Sequence, residues 1–417
     1  MARMAEKAAR VPGIEQIERA AETIRGNVRE TPVVPAGEIS RRVGATVKLK
    51  AENLQRTGSF KARGAFNRIA SLDEQQLARG VVAASAGNHA QALAVAASWR
   101  GARATLYMPA DAPLAKVEAV RGYGGDVRLV PGSYDDAAAA AAAAVDRDGL
   151  IPVHPFDDPI VLAGQGTIGL EISAQVPEAA VVVVAVGGGA LAAGTAIALK
   201  ARRPGVRVVG VQSDACAPYP ESLQAHRPIG TRATSTICDG IAVKRPGELT
   251  LPLVSEFVDE VVTVSDDDVA QAMVLLLERS KLVVEGAGAA SVAALLAGKV
   301  EAPASGEVCA VLSGGNVDAA RLVECIRLGE TAAGRRVVLS TVVPDRPGAL
   351  ARLVGTVAEQ GANVIDVVHL REGVDLHVRE TGIRLVLQVD GAEHRERVLS
   401  AVGELGFAVR VEDVEPT

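Results

Sequence analysis

The feature that most constrains the fold is a regular alternation of short apolar segments and longer segments with helical spacing, between about residue 47 and residue 312. Segments with the length and composition of buried strands lie at residues 80–85, 104–108, 127–130, 180–186, 206–211 and 308–312. Predicted helices lie between and around them, at residues 88–99, 113–121, 133–145, 167–175, 190–202, 266–279 and 286–296. This alternation predicts βαβ units on a parallel sheet, an α/β fold whose ligands bind beyond the carboxyl ends of the strands.

The pattern changes at about residue 334. Strands are predicted at residues 336–343, 363–372, 383–390 and 407–411, with helices at residues 347–360 and 393–405. The order βαββαβ is that of a ferredoxin-like domain. We therefore predict a catalytic domain at residues 1–330, with a smaller subdomain at about 50–150, a linker at residues 328–335, and a second domain at residues 335–417.

Composition excludes several classes of function. The chain has 417 residues, a net charge of −6 and 2% aromatic residues, with no long basic run, so nucleic-acid binding is not expected. Its apolar stretches are too short to span a bilayer, and residues 1–10 lack the apolar core of a signal peptide, so we predict a cytoplasmic protein. The four cysteines have neither zinc-site nor redox-motif spacing and are expected to be free thiols.

Two polar segments that precede predicted helices could carry chemistry. In the first, residues 59–61 (SFK), Lys61 could form a Schiff base with an aldehyde cofactor if its amine is desolvated, although such a lysine alone is also typical of a solvated surface. The second segment consists of Ser85, Ala86, Gly87, Asn88 and His89. The free amides of the helix N-terminus that it forms suit a carboxylate, although an asparagine-capped turn with a structural histidine gives the same pattern.

Two further segments directly follow predicted strands. The run Gly187, Gly188, Gly189, Ala190 and Leu191 opens a helix, so its amides suit a phosphate, although a tightly packed turn is the alternative. It is neither a spaced dinucleotide-binding pattern nor a Walker loop. The last segment, residues 313–316 (SGGN), offers a serine hydroxyl, and alone it is a weak signal.

Together, in this order, the four segments resemble those of pyridoxal-phosphate-dependent ammonia-lyases, specifically threonine dehydratases with a C-terminal ACT domain. The resemblance covers residues 14–328 and implies a tryptophan-synthase-β-like fold of two open α/β subdomains. It implies that Lys61 holds pyridoxal 5'-phosphate and acts as the base, Asn88 hydrogen-bonds the ring hydroxyl, and Ser313 faces the ring nitrogen. Phe60 would pack near the ring. The glycine run, including Ala190 and Leu191, would bind the phosphate, and the segment from Ser85 to His89 would bind the substrate carboxylate.

The chain departs at three positions from the patterns of the families that it resembles. Ala190 stands where the family usually has glycine, but alanine keeps the N–H unless the position needs a positive φ. Related serine racemases carry a serine acid-base group at the position of Ala86, so the resemblance favours elimination over racemisation. They also carry a metal-ligating carboxylate at the position of Gln212, so we predict no metal site here.

Residues 344–350 (PDRPGAL) and 361–365 (GANVI) look like an ACT domain, a module that pairs and binds amino acids. The resemblance implies control by a branched-chain amino acid, isoleucine first and valine second, in a homodimer or homotetramer. A dimerisation module without a ligand is the alternative.

The implied reaction converts L-threonine, and L-serine more slowly, into a 2-oxo acid and ammonia, and would feed isoleucine biosynthesis. A serine or hydroxyaspartate dehydratase and a noncatalytic amino-acid sensor are the alternatives. No role follows from the sequence for Glu285, Asp239 or Arg63.

Overall fold

The computed structural model describes residues 12–232, 234–371 and 376–412. They divide by contacts into two compact units, Met1–Asp318 and Ala319–Thr417. Part of the predicted linker is helical, since a helix runs over Ala319–Ala332. The domain limits at residues 330 and 335 remain predictions, and residues 1–10, taken above to lack a signal peptide, lie outside the described residues.

Ten strands lie in the described part of the first unit. They are β1 (Val33–Pro35), β2 (Val47–Ala51), β3 (Val81–Ala84), β4 (Ala104–Pro109), β5 (Asp126–Val130), β6 (Ile151–Pro152), β7 (Ala179–Ala185), β8 (Arg207–Ser213), β9 (Glu260–Val264) and β10 (Glu307–Leu312). The larger sheet has the order β1-β2-β10-β7-β8-β9 and is parallel except for the β1–β2 pair. The smaller sheet has the order β5-β4-β3-β6 and is fully parallel. The predicted α/β fold with two open sheets is confirmed.

Helices connect these strands. They are α1 (Ile14–Ile24), α2 (Gly37–Val43), α3 (Lys61–Ala70), α4 (Glu74–Arg79), α5 (Asn88–Trp99), α6 (Leu114–Gly122), α7 (Tyr134–Asp148), α8 (Pro159–Gln175), α9 (Ala190–Arg202), α10 (Pro218–Ala225), α11 (Thr250–Phe257), α12 (Asp266–Leu275) and α13 (Gly286–Leu296). Ser133 caps α7, since its side chain accepts the N–H of Asp136.

The core of the larger sheet is built from small and branched aliphatic residues. Val182, Val183 and Val184 of β7 are fully buried, because β7 lies in the middle of the sheet with both faces covered. Helices α8 and α9 pack closely, and a side chain at Gly194 would lie 2.7 Å from the carbonyl oxygen of Leu162. Glycine at this position therefore allows the two helices to approach each other.

The second unit begins with α14 (Ala319–Ala332) and continues as β11 (Arg336–Pro344), α15 (Ala349–Glu359), β12 (Asn363–Leu370), β13 (Glu380–Gln388), α16 (Ala392–Glu404) and β14 (Val409–Val411). The predicted βαββαβ order is confirmed, and the strands form an antiparallel sheet in the order β12-β13-β11-β14. Glu372, the predicted end of β12, lies outside the described residues.

None of the helices in the described part of the chain has both the length and the apolar character that crossing a membrane requires.

Candidate active site

A cavity of about 540 Å³ opens where β3, β7 and β10 end at their carboxyl edges. This is the position at which open parallel sheets bind ligands. Every site residue named from the sequence lines it. They are Phe60, Lys61, Ser85, Ala86, Gly87, Asn88, His89, Gly187, Gly188, Gly189, Ala190, Leu191 and Ser313.

Lys61 is the first residue of α3 and reaches this cavity. Its Nζ donates a hydrogen bond to the carbonyl oxygen of Pro155 at 2.9 Å. Burial lowers the pKa of the amine to about 8, although the carboxylate of Glu285 opposes part of the shift. A larger fraction of this amine is therefore neutral near pH 7 than for an ordinary lysine, which suits a nucleophile or a base.

The glycine run forms a turn in which Gly188 and Gly189 cannot carry a side chain. Gly189 precedes α9 with φ of +98°, in the left-handed region, and a side chain there would overlap the hydroxyl of Tyr219. A side chain at Gly188 would overlap the ring of Phe156. Ala190 is the first helical residue and has no positive φ, so alanine is accommodated there with its N–H intact. The turn presents main-chain amides at the N-terminus of a 13-residue helix, a good environment for a phosphate.

The segment from Ser85 to His89 joins β3 to α5, whose N-terminal amides face the cavity edge. The hydroxyl oxygen of Ser85 accepts a hydrogen bond from the N–H of Gly87 at 3.2 Å. His89 is buried, and its Nε2 lies 3.0 Å from the carbonyl oxygen of Val153. Burial, followed by repulsion from Lys61, lowers the pKa of His89 to about 3, so its imidazole is neutral and donates to that carbonyl.

Ser313 follows β10, and its hydroxyl donates to the carbonyl oxygen of Ala287 at 3.3 Å. Its own carbonyl oxygen accepts the N–H of Phe60 at 3.1 Å. The residue thus fastens the loop before Lys61 to the end of the larger sheet. A serine hydroxyl is neutral, so it can hydrogen-bond a ring nitrogen without stabilising positive charge there as a carboxylate would.

Two known family models match the chain. Residues 24–314 match the family model of pyridoxal-phosphate dependent enzymes, and residues 337–407 match that of the ACT domain. The chain belongs to the pyridoxal-phosphate dependent enzyme family. It is 44% identical over 398 residues to an L-threonine ammonia-lyase of Thermotoga maritima, covering 95% of this chain and 99% of that relative.

Solved structures of this family are also similar. The processed form of threonine deaminase isoform 2 from Solanum lycopersicum has a TM-score of 0.71 and 33% identity, covering 76% of this chain and 87% of its own. Maize serine racemase has a TM-score of 0.72 and 35% identity, covering 76% of this chain and 97% of its own. The similar structures thus include both a deaminase and a racemase, so overall similarity does not distinguish the two reactions, and individual residues of the site are needed to do so.

The cavity fits the cofactor of this family. Lys61 offers an amine of lowered pKa, and the glycine turn lines the cavity at the N-terminus of α9, where main-chain amides are available to an anion. Ser313 and Asn88 supply neutral polar groups on the same cavity wall. An amine, a turn of main-chain amides and a neutral hydroxyl are the chemical groups that would suit an aldehyde, a phosphate and a pyridine nitrogen.

Several residues in or behind the cavity wall carry no recognisable sequence signal. Tyr219 and Thr250 donate hydrogen bonds to the carbonyl oxygen of Gly188, at 3.1 and 2.6 Å, and so fix the glycine turn from behind. Glu285 lines the cavity, and burial, followed by repulsion from Asp239, raises its pKa to about 7. Spatial proximity reveals these residues, because they come from segments far apart in the chain.

Arg63 lies two residues after Lys61 in a buried ion network. Its guanidinium contacts Glu52 at 2.8 Å and Glu171 at 2.5 Å, and Lys50 also contacts Glu171 at 2.5 Å. Burial alone would raise the pKa of Glu52, but the charges of Arg63 and Lys50 hold this pKa below its usual value. The network anchors α3, and therefore the backbone of Lys61.

The prediction of no metal site rests on Gln212 and remains a prediction. The side chain of Gln212 is already engaged, since its Oε1 accepts the N–H of Tyr219 and its Nε2 donates to the carbonyl of Val186. Within residues 12–232, 234–371 and 376–412, no cluster of three or more potential metal ligands occurs.

Proposed function

We propose that the chain is an L-threonine ammonia-lyase that converts L-threonine to 2-oxobutanoate and ammonia, and L-serine more slowly to pyruvate and ammonia. The observation that carries the proposal is the convergence of Lys61, the glycine turn and Ser313 on one cavity, in a chain 44% identical to an L-threonine ammonia-lyase over nearly its full length. Relatives of this group use pyridoxal phosphate, which supplies an electron sink for charge developing at Cα of an amino acid.

We assign the cofactor contacts as follows. Lys61 would bind the aldehyde covalently, Phe60 would pack near the ring, and Asn88 would donate to the ring hydroxyl. Ser313 would face the ring nitrogen. The phosphate would accept hydrogen bonds from the amides of Gly187, Gly188, Gly189, Ala190 and Leu191.

Lys61 is also the proposed base. Once the substrate amine has released it, its neutral amine would take the proton from Cα, consistent with a pKa of about 8. The amides of the segment from Ser85 to His89 would hold the substrate carboxylate, so that the Cα–H bond faces Lys61. Loss of the Cβ hydroxyl as water, followed by hydrolysis of the released enamine, gives the 2-oxo acid and ammonia.

Ala86 supports elimination over racemisation. Inversion at Cα requires a second acid-base group on the face opposite Lys61, and the methyl group of Ala86 can neither donate nor accept a proton. A neutral Ser313 at the ring nitrogen also gives a weaker electron sink than a protonated ring, which favours prompt loss of the β-hydroxyl.

Two experiments test the proposal. Formation of 2-oxo acid from a panel of hydroxy amino acids is expected to be fastest with L-threonine, whereas faster turnover of L-serine or of a hydroxyaspartate would favour those dehydratases instead. Borohydride reduction and peptide mapping of the holoenzyme are expected to find the cofactor on Lys61. A protein without a visible cofactor band or turnover would instead be a noncatalytic amino-acid sensor.

We further propose that the ACT domain binds a branched-chain amino acid, isoleucine first and valine second, in a cytoplasmic homodimer or homotetramer that feeds isoleucine biosynthesis. Support comes from the turn before α15, where Gly348 has φ of +88° and opens a helix whose first amides suit a carboxylate. Calorimetry and activity titrations with each amino acid test this. If no amino acid binds and none changes the rate, the ACT domain would be a dimerisation module without a ligand.

A further inference from the structure

The side-chain amide of Asn88 is hydrogen-bonded at both of its ends. Its Nδ2 donates to Oε1 of Glu285 at 2.6 Å, and its Oδ1 accepts from Nδ2 of Asn316 at 2.8 Å. Because Nδ2 of Asn316 also donates to a main-chain carbonyl oxygen, the Asn316 amide has a defined orientation, and Oδ1 of Asn88 must be the atom that faces it. One N–H of Asn88 then remains for a ligand in the cavity.

Glu285 is itself held in place. Its N–H donates to the carbonyl oxygen of Gly314 at 3.1 Å, and its carboxyl group lies against the Cα of Gly314, where a side chain would overlap it. The residue is 6% exposed, so solvent offers Asn88 little substitute for this acceptor. Glu285 also directly precedes α13, whose first turn contains the carbonyl that accepts from Ser313.

Asn316 makes a second connection. Its Nδ2 also donates to the carbonyl oxygen of Thr57 at 2.7 Å. Thr57 has φ of +63° and ψ of +13°, a left-handed conformation that is strained for a β-branched residue and must be held by its surroundings. Thr57 lies four residues before Lys61, so Asn316 links the loop that carries the lysine to the amide of Asn88.

We propose that Glu285 and Asn316 are positioning residues that fix the Asn88 amide with one N–H directed at the bound cofactor, and that Asn316 sets this amide in register with Lys61. The inference rests on the proposed function in one respect, that Asn88 contacts the cofactor ring. Glu285 acts through Asn88 as a hydrogen-bond acceptor, and a neutral acceptor of the same shape should replace it.

The variants Glu285→Ala, Glu285→Gln and Asn316→Ala test this in the full-length holoenzyme, with the exposed Glu256→Ala as a matched control. In Glu285→Ala, Asn88 loses its hydrogen-bond acceptor, and the visible absorption maximum of the cofactor is expected to shift. We expect kcat to fall about 10- to 100-fold, and KM for threonine to change less than about threefold. Glu285→Gln is expected to recover most of the loss, because the glutamine carbonyl still accepts from Asn88. Asn316→Ala is expected to change the spectrum in the same direction.

Each outcome bears on the proposal. A wild-type spectrum and kcat in Glu285→Ala, or an equal loss in Glu285→Gln and Glu285→Ala, would overturn it. If Glu285→Ala does not fold, Asn316→Ala and Glu285→Gln carry the same comparison. Failure of the proposed function is distinguishable, because wild-type protein itself would then lack the cofactor band or the 2-oxo acid product.

Discussion

Replacing Gly189 by alanine tests the role of the glycine turn most directly. Alanine at φ of +98° is strained by roughly 1–2 kcal/mol. Its methyl group would also displace the hydroxyl of Tyr219, which donates to the carbonyl oxygen of Gly188 at 3.1 Å, at a cost of about 1 kcal/mol. The sum is roughly 2–3 kcal/mol, equivalent to about a 30- to 150-fold change in an equilibrium constant.

The penalty can be divided between two measurable quantities. If the turn keeps its shape, the apo protein unfolds at lower urea concentration; if the turn relaxes, the amides move and pyridoxal phosphate binds more weakly. Urea unfolding of the apo protein and absorbance titration with the cofactor therefore need to be measured together. Gly205→Ala is the control, because a Cβ atom added at Gly205 would have no non-bonded neighbour within 4 Å and the residue has no positive φ. Combined losses in Gly189→Ala no larger than in the control would refute the reasoning.

Lys61, Arg63 and Ala86 each give a further prediction. The proposed base must be neutral, and the pKa of Lys61 lies at about 8, so kcat is expected to rise with pH around pH 8 and then level off. A kcat that stays constant between about pH 7 and 9 would contradict the assignment of Lys61 as the base. Arg63→Met leaves the carboxylate of Glu52 buried without its ion-pair partner. Urea unfolding is expected to show a loss of about 3–5 kcal/mol in the free energy of unfolding. A loss below about 1 kcal/mol would mean that the ion network is not needed for stability. Ala86→Ser supplies the hydroxyl that racemisation would need on the face of Cα opposite Lys61, and this variant is expected to produce D-serine from L-serine, measured by chiral chromatography. If no D-serine forms, Ala86 does not explain why the enzyme eliminates rather than racemises.

Local signals account for what the sequence could predict of the site. Lys61, Asn88, the glycine run and Ser313 lie next to strand ends or helix starts, and an α/β topology brings such positions to one edge. The hydrogen-bonded pairs that these residues form have no such signal. Asn88 and Glu285 are 197 positions apart, and Asn88 and Asn316 are 228 apart, so only the folded chain brings them together.

The elements of the fold differ in how far the sequence predicts them, for physical reasons. Helix α8 begins at Pro159, well before the predicted start at residue 167, because Asp158 caps it and its glycines serve close packing rather than helix termination. Helices α10 and α11 are not predicted, since prolines and short length hide their periodicity. From β11 onward the second unit is predicted element by element, because its strands and helices alternate in polarity with little interruption, whereas α14 at its start is not predicted.

The carbonyl of Pro155 that receives the Lys61 amine belongs to the main chain. Any residue that keeps the backbone path at this position presents the same oxygen, so substitution there cannot directly remove it. The adjacent Phe156 lines the cavity with its side chain and is free of that constraint. The cavity wall at Phe156 could therefore change over evolution without removing the oxygen that accepts the hydrogen bond from Lys61.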